Sequence, residues 1–334
     1  MSERRGKHAL ATALGAVSVM VAGLVTLPAG QAGAAAAACT WQKRVWDLPA
    51  GADVGTLDGY DGDRWAVGIT GSRSWMGGGI TDARGTLWDN GKVALRVSGE
   101  IPHLNDVNAS GLVVGDTIVG NEFVAITVDH DGTTRQLPGD PAWDSYSADL
   151  VSGNGDIVGT ATVDREFRVV VWPAGAPGTY RVLPTPDVHY LHLQDVDDQG
   201  RIIAQTDSSV GGLVWDTDGQ WRKLASNGTP WAIRDGRVVG GLNDTNAAAE
   251  WTARGGLVRT IGSGAVNATA VGGRGTVGGH RFVNSQRQPV LWRDGVVSDP
   301  LSGVPSGFTL NWLSDDEQTL VGVESRRPVA YDCG

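Results

Sequence analysis

Apolar and polar residues alternate along this chain in short runs, and turns of Gly, Asp and Asn separate the runs. LNDVNASGLVVGDTIVGNEFVAITVDHDGTTRQL, Leu104 to Leu137, shows the unit clearly. It reads as a strand, a tight polar turn, a strand carrying Val-Val-Gly, a loop, an apolar strand, an Asp-Gly turn and a strand ending in Leu. The same order recurs from Ser147 to Leu183, Leu193 to Leu224, Trp231 to Ile261 and Ala268 to Leu301, and with a longer middle loop from Val54 to Val97. A last copy, LNWLSDDEQTLVGVESRRPVAYDCG, has three strands and stops in a turn. Its missing strand is at the other end, in TWQKRVWDL, Thr40 to Leu48, whose ending matches WRKL and TRQL.

One blade of this kind cannot bury both of its faces, whereas blades stacked radially can. The pattern therefore predicts an all-β, seven-bladed propeller of four-stranded blades over residues 39–334, closed by the N-terminal strand in the last blade. Tryptophan marks the register. Trp88, Trp172, Trp215, Trp251 and Trp292 end the third strand in five copies, with Val128 and Tyr331 in the other two. Packing between twisted blades suits a large ring there better than carbohydrate stacking does.

Residues 1–38 read differently. Arg4, Arg5 and Lys7 precede an uncharged Ala, Val and Leu stretch, Pro28 and the run QAGAAAAA, the order of a cleaved secretory signal peptide. An uncleaved anchor and a lipidated Cys39 are the alternatives. Of 27 bases and 37 acids, Arg4, Arg5, Lys7 and Glu3 fall in the leader, leaving 24 and 36, a net charge of −12. An acidic surface repels phosphate and argues against nucleic acid as a partner. The 2 cysteines, Cys39 and Cys333, sit at the two ends of the mature chain, and in an oxidising compartment they are expected to form one disulfide. The expected product is a secreted, extracellular monomer.

The recurring Asp-Val-Asn/Asp, the Gly turn, Ile/Val-Val-Gly and Leu/Val-Trp-x-x-Gly resemble the bacterial extracellular repeats named for their His-Ala-Phe motif. The resemblance covers the whole mature chain and implies a propeller outside the cell, with no single activity attached. The His-Ala-Phe triplet itself is absent, its neighbourhood reading FVAITV, FRVVVW and QPVLW.

No HExxH, P-loop, GxSxG or Cys/His metal spacing appears, and no cofactor is expected. DVNASG (Asp106 to Gly111) and DVDDQG (Asp195 to Gly200) have the first two oxygen positions of a calcium loop but Ser110 and Gln199 at the fifth. Hairpin turns, with Asp and Asn bonding local backbone, fit them better, and no metal is expected. The turns between strands one and two hold many acids, including Asp61, Asp63, Asp197, Asp198, Asp315 and Asp316. The opposite face carries the longer loops, with Trp75, Trp143, Tyr146, Tyr190, Trp231, Arg165 and Arg287 as candidate ligand contacts. The function this suggests is a binding module for a cell-wall glycan, a small molecule or an extracellular protein. The competing expectation is a lyase or hydrolase working at the channel mouth with His189 or His192 as base. A carboxylate beside either histidine would favour it.

Overall fold

The computed structural model describes residues 39–334 except 75–78, 98–102, 208–209 and 262–265. Seven antiparallel sheets of four strands form a β-propeller, and the described residues contain no helix. In blade 2 the strands run outward in chain order as His103–Val107, Val113–Val119, Glu122–Val128 and Thr134–Gln136. Blades 3, 4, 5 and 6 repeat this order from innermost strands at Ser145–Val151, Leu191–Val196, Gly228–Arg234 and Val266–Val271. Blade 1 has a split innermost strand, Val54–Gly55 and Gly59–Tyr60, both pieces pairing with Trp65–Arg73.

Blade 7 takes three strands from the C-terminal end, Phe308–Leu313, Thr319–Glu324 and Arg327–Cys333, and its outermost strand, Trp41–Val45, from the N-terminal end. Trp41 pairs with Cys333 and Val45 with Val329. Cys39 and Cys333 are disulfide-bonded at a Cα–Cα distance of 5.3 Å. The ring is thus closed by a ladder of backbone hydrogen bonds and clasped beside it by a covalent bond.

The hydrophobic core is a set of seven clusters, each lying between two neighbouring blades. Leu150, Val169 and Leu183 of blade 3 pack against Leu193, Ile202 and Trp215 of blade 4. Trp46, Leu57, Ala66 and Trp88 meet Val321 and Ala330 where blade 1 joins blade 7. The tryptophans are rivets between blades. Trp88, Trp172, Trp215 and Trp251 are buried and donate their indole N–H to the carbonyls of Asp47, Pro138, Pro184 and Ala225, just beyond the outer strand of the preceding blade. Each ring fills the wedge and satisfies its one polar atom there.

The Val-Val-Gly signature has a steric cause. Every innermost strand carries one extra residue, a β-bulge, seen as register shifts at 104/106, 148/150, 193/195, 230/232, 268/270 and 310/312. The bulge presses a backbone carbonyl onto the second strand. A Cβ added at Gly115, Gly159, Gly240, Gly279 or Gly322 would lie 1.8–2.0 Å from that oxygen, and at Gly68 2.2 Å from the Thr56 carbonyl. Blade 4 carries Ala204 at this place, paired with Leu193.

Three outcomes follow from the closure and the bulge. Reducing the disulfide lowers the melting temperature without loss of the β-sheet signal, by less than the about 5–6 kcal/mol that chain entropy assigns to so long a loop, because the Trp41–Val45 strand already closes it. Deleting residues 39–48 costs more, since it uncovers the edge of Arg327–Cys333. Circular dichroism melts of the two forms check the ranking. Gly159→Val, against the Ser147 carbonyl, destabilises by about 1–3 kcal/mol or more through overpacking, measurable by urea denaturation.

Candidate functional site

The bulges decide what faces the axis. The extra residue is Asn105 in blade 2, Asp149 in blade 3, Gln194 in blade 4, Trp231 in blade 5, Thr269 in blade 6 and Asn311 in blade 7. In blade 1 it is Asp58, between Leu57, which lies against Gly68, and Gly59, which pairs with Val67. All seven line one central cavity of about 880 Å³, within the range of small-molecule and cofactor sites. One side chain per blade, each different in setting, is thereby turned onto the channel.

Two further positions per blade stand beside each bulge residue: the one two places earlier, and its cross-strand partner just after the signature glycine. In blade 2 these are His103 and Asp116, a registered pair. Asp116 is buried, its Oδ2 accepts from Asn105 Nδ2 at 3.2 Å, and its Oδ1 lies 3.3 Å from His103 Nδ1 without a well-directed hydrogen bond. Contact with the Asp116 carboxylate holds the His103 imidazole above its ordinary pKa. In blade 3, Asp149 accepts from Ser147 Oγ at 2.7 Å and Thr160 Oγ1 at 3.1 Å. The low-dielectric walls raise the Asp149 pKa to about 6, opposed by those hydroxyls and reinforced by Asp116. Asp58 faces the channel yet is hemmed in by protein, and desolvation raises its pKa to about 6 against the pull of His103.

The opposite wall differs. In blade 6 the pair is Asn267 and His280. His280 Nε2 accepts from the Leu310 amide at 3.0 Å, and Arg287 Nη2 lies 3.0 Å from its Nδ1. Burial, with Arg287 adding to it, lowers the His280 pKa to about 3. Arg287 lines the cavity, as does Trp231, which is 39% exposed.

The candidate contacts from the sequence separate accordingly. Trp231 and Arg287 line the channel. Tyr190 is exposed and stacks on the cavity-lining His192 with ring centroids 6.4 Å apart. Trp143 and Tyr146 pack on each other and on their surroundings instead, with Trp143 against Tyr180 at 4.9 Å and the Tyr146 hydroxyl donating to the Leu137 carbonyl. Arg165 sits at positive φ in the hairpin after Ile157–Val163 and does not line the cavity. Trp75 lies outside the described residues. His192 contacts the Gln194 side-chain amide, and burial depresses its pKa. His189 is exposed; its backbone amide donates to Asp207. Among the strand histidines, the one with a carboxylate beside it is His103, which sequence reading passed over. Its signal was there: Asp116 follows the Gly of Val-Val-Gly, a place that faces the strand-one residue in every blade.

The acidic turns are occupied by structural work. Asp106 accepts from Val107 N and, in the next blade, Val151 N; Asp195 likewise accepts from Val196 N and Ile233 N. Asp197 takes Gly236 N, Asp198 takes Gly153 N, and Glu317 takes Arg274 N and Thr276 N. Asp315 pairs with Arg234 of blade 5, and its amide donates to Gly62 of blade 1. These acids staple blade to blade at the turn end of the channel. No group of three or more His, Cys, Asp or Glu is placed to hold a metal ion among the described residues.

No family model matches the chain, and a search of curated proteins matches none. Solved structures do. A streptogramin B lyase is 11% identical with a TM-score of 0.58, covering 88% of this chain and 98% of its own. A catalytically inactive histidine-to-alanine variant of virginiamycin B lyase from Staphylococcus aureus with quinupristin is 11% identical, with a TM-score of 0.56 over 88% and 100% of the two chains. YCF48 bound to D1 peptide is 14% identical, with a TM-score of 0.53 over 88% and 97%. At such identity the likeness is one of fold.

The staples give a pH dependence with a definite sign. Burial raises Asp106 to about 8 and Asp195 to about 7. The folded state therefore holds these protons more tightly than the unfolded chain, and stability falls as pH rises from about 4 through about 8. Melting temperature measured from pH 5 to 9 should fall, and Asp195→Asn should flatten the fall. Submillimolar calcium should leave the melting temperature unchanged, because backbone amides already take both oxygens of Asp106 and Asp195; a rise of several degrees reversed by chelator would contradict this.

Proposed function

We propose that the protein is a secreted binding module that captures its ligand in the central channel, entered from the long-loop face. One observation carries this reading. The repeat keeps its buried apolar positions from blade to blade, yet it turns Asp58, Asn105, Asp149, Gln194, Trp231, Thr269 and Asn311 onto one cavity. A merely structural axis has no need of so varied a ring. The turn end lines the same cavity with Asp197, Asp198 and Asp315, which are engaged by backbone amides and by Arg234, and we assign recognition to Trp231, Tyr190, His192 and Arg287 at the opposite mouth. The leader, the disulfide and the resemblance to extracellular repeats support placement outside the cell, and the ligand classes remain a cell-wall glycan, a small molecule or an extracellular protein.

A second reading, an extracellular lyase or hydrolase, is favoured by His103, whose imidazole lies 3.3 Å from the buried, channel-lining carboxylate of Asp116. Neither His189 nor His192 has such a partner among the contacts described above. In that case His103→Gln would abolish turnover and leave ligand capture in place.

The test is a capture screen of the mature protein against cell-wall glycans, small molecules and extracellular proteins. Trp231→Ala combined with Tyr190→Ala should reduce capture about tenfold or more, as expected of aromatic anchors. Asp63→Asn on the turn face should not, and Trp143→Ala should lower stability instead. Full capture by the Trp231/Tyr190 variant, with loss in the turn-face variant, would reverse the assignment of faces.

A further inference from the structure

At the level of the bulges the channel is polarised across its width, whereas at its turn end Asp61, Asp106, Asp195, Asp235 and Asp315 line it from five blades, with Arg234 among them. There blades 1, 2 and 3 present Asp58, Asp116 and Asp149, with the His103 imidazole beside the first two. In a ring of seven, blade 6 stands opposite blades 2 and 3, and it presents Arg287. Blade 5 adds the exposed face of Trp231 between the two walls.

Each wall also carries a polar group whose partners are incomplete. Asp116 is 6% exposed and lines the cavity; its Oδ1 lies 3.3 Å from His103 Nδ1 but accepts no well-directed hydrogen bond. On the far wall, His280 is 2% exposed. Its Nε2 lies 3.0 Å from the Leu310 amide nitrogen, and its Nδ1 lies 3.0 Å from Arg287 Nη2. The guanidinium of Arg287 has this imidazole beside it and no carboxylate partner among the described residues. A ligand carboxylate there would give the guanidinium a charged acceptor. Near the first wall a donor is wanted.

We propose that the channel, read as the binding site above, takes a zwitterion: a short peptide with free ends, its ammonium against Asp58, Asp116 and Asp149, its carboxylate on Arg287, and an apolar or aromatic side chain on Trp231. Charge-assisted hydrogen bonds in a narrow, poorly hydrated channel discriminate strongly against a ligand that lacks one of the charges. A glycan, neutral and rich in hydroxyls, would leave the polarity of the two walls unused.

The experiment is isothermal titration of the mature protein with Ala-Phe, Ala-Phe-Ala and Ala-Ala-Phe-Ala, each in free, N-acetylated, C-amidated and doubly blocked form. At least one free peptide should bind, and blocking either end should weaken it roughly tenfold or more. Arg287→Gln should remove the penalty for amidation and keep that for acetylation. Asp58→Asn with Asp149→Asn should do the converse. Equal affinity for free and doubly blocked peptides, lost in Trp231→Ala, would overturn the zwitterion while leaving the channel as the binding site. Failure of every free peptide to bind the folded wild-type protein would overturn it as well, and the capture screen would then decide the channel reading by itself.

Discussion

The structure depends on one close approach, repeated around the ring: a bulged innermost strand pressing a carbonyl onto the strand behind it. At Gly115 the distance from that oxygen to an added Cβ would be 1.8 Å, which no side chain accommodates without a shift. Given the glycine, the inner strand can carry its extra residue, twist and turn one side chain onto the axis. The scaffold and the channel lining are therefore consequences of the same local event. Blade 4 shows the tolerance of the device, since Ala204 is accepted where the others have glycine.

Around that inner ring, stability is assembled from interfaces between neighbours. Each hydrophobic cluster spans two blades, each riveting tryptophan bonds the carbonyl of the blade before it, and Asp106, Asp195 and Asp197 reach amides of the blade after. Such an assembly is sound only if the circle is complete. The N-terminal strand and the Cys39–Cys333 bond supply the last interface, and Trp46 and Trp88 fill the wedge beside it. Acidic groups that would otherwise be a liability in the turns become acceptors for backbone N–H groups, at the cost of raised pKa values for Asp106 and Asp195.

The blades, the closing strand, the tryptophan register and the disulfide were legible because periodic apolar positions and two terminal cysteines leave few arrangements. The channel lining was not, because a bulge shifts register by one residue and the residue it exposes differs in every blade. Trp231 was picked out among the loop aromatics, yet it reaches the cavity as a bulge residue within a strand. Trp143 and Tyr146 looked equivalent to it in the sequence and instead pack together at the rim, because a loop aromatic with Tyr180 beside it gains more from burial than from solvent. His103 was hidden for a different reason: its partner Asp116 is thirteen positions away and meets it only through strand pairing.

The placement of carboxylates on the channel wall is the claim on which the functional account turns, and carboxyl-carbon NMR titration of residues 39–334 addresses it without any ligand. Asp58 and Asp149, desolvated by the channel walls, should each titrate near 6, assigned by Asp58→Asn and Asp149→Asn. Midpoints for both at about 4, the range of carboxylates in bulk water, would show that the bulges do not turn these side chains into a confined channel.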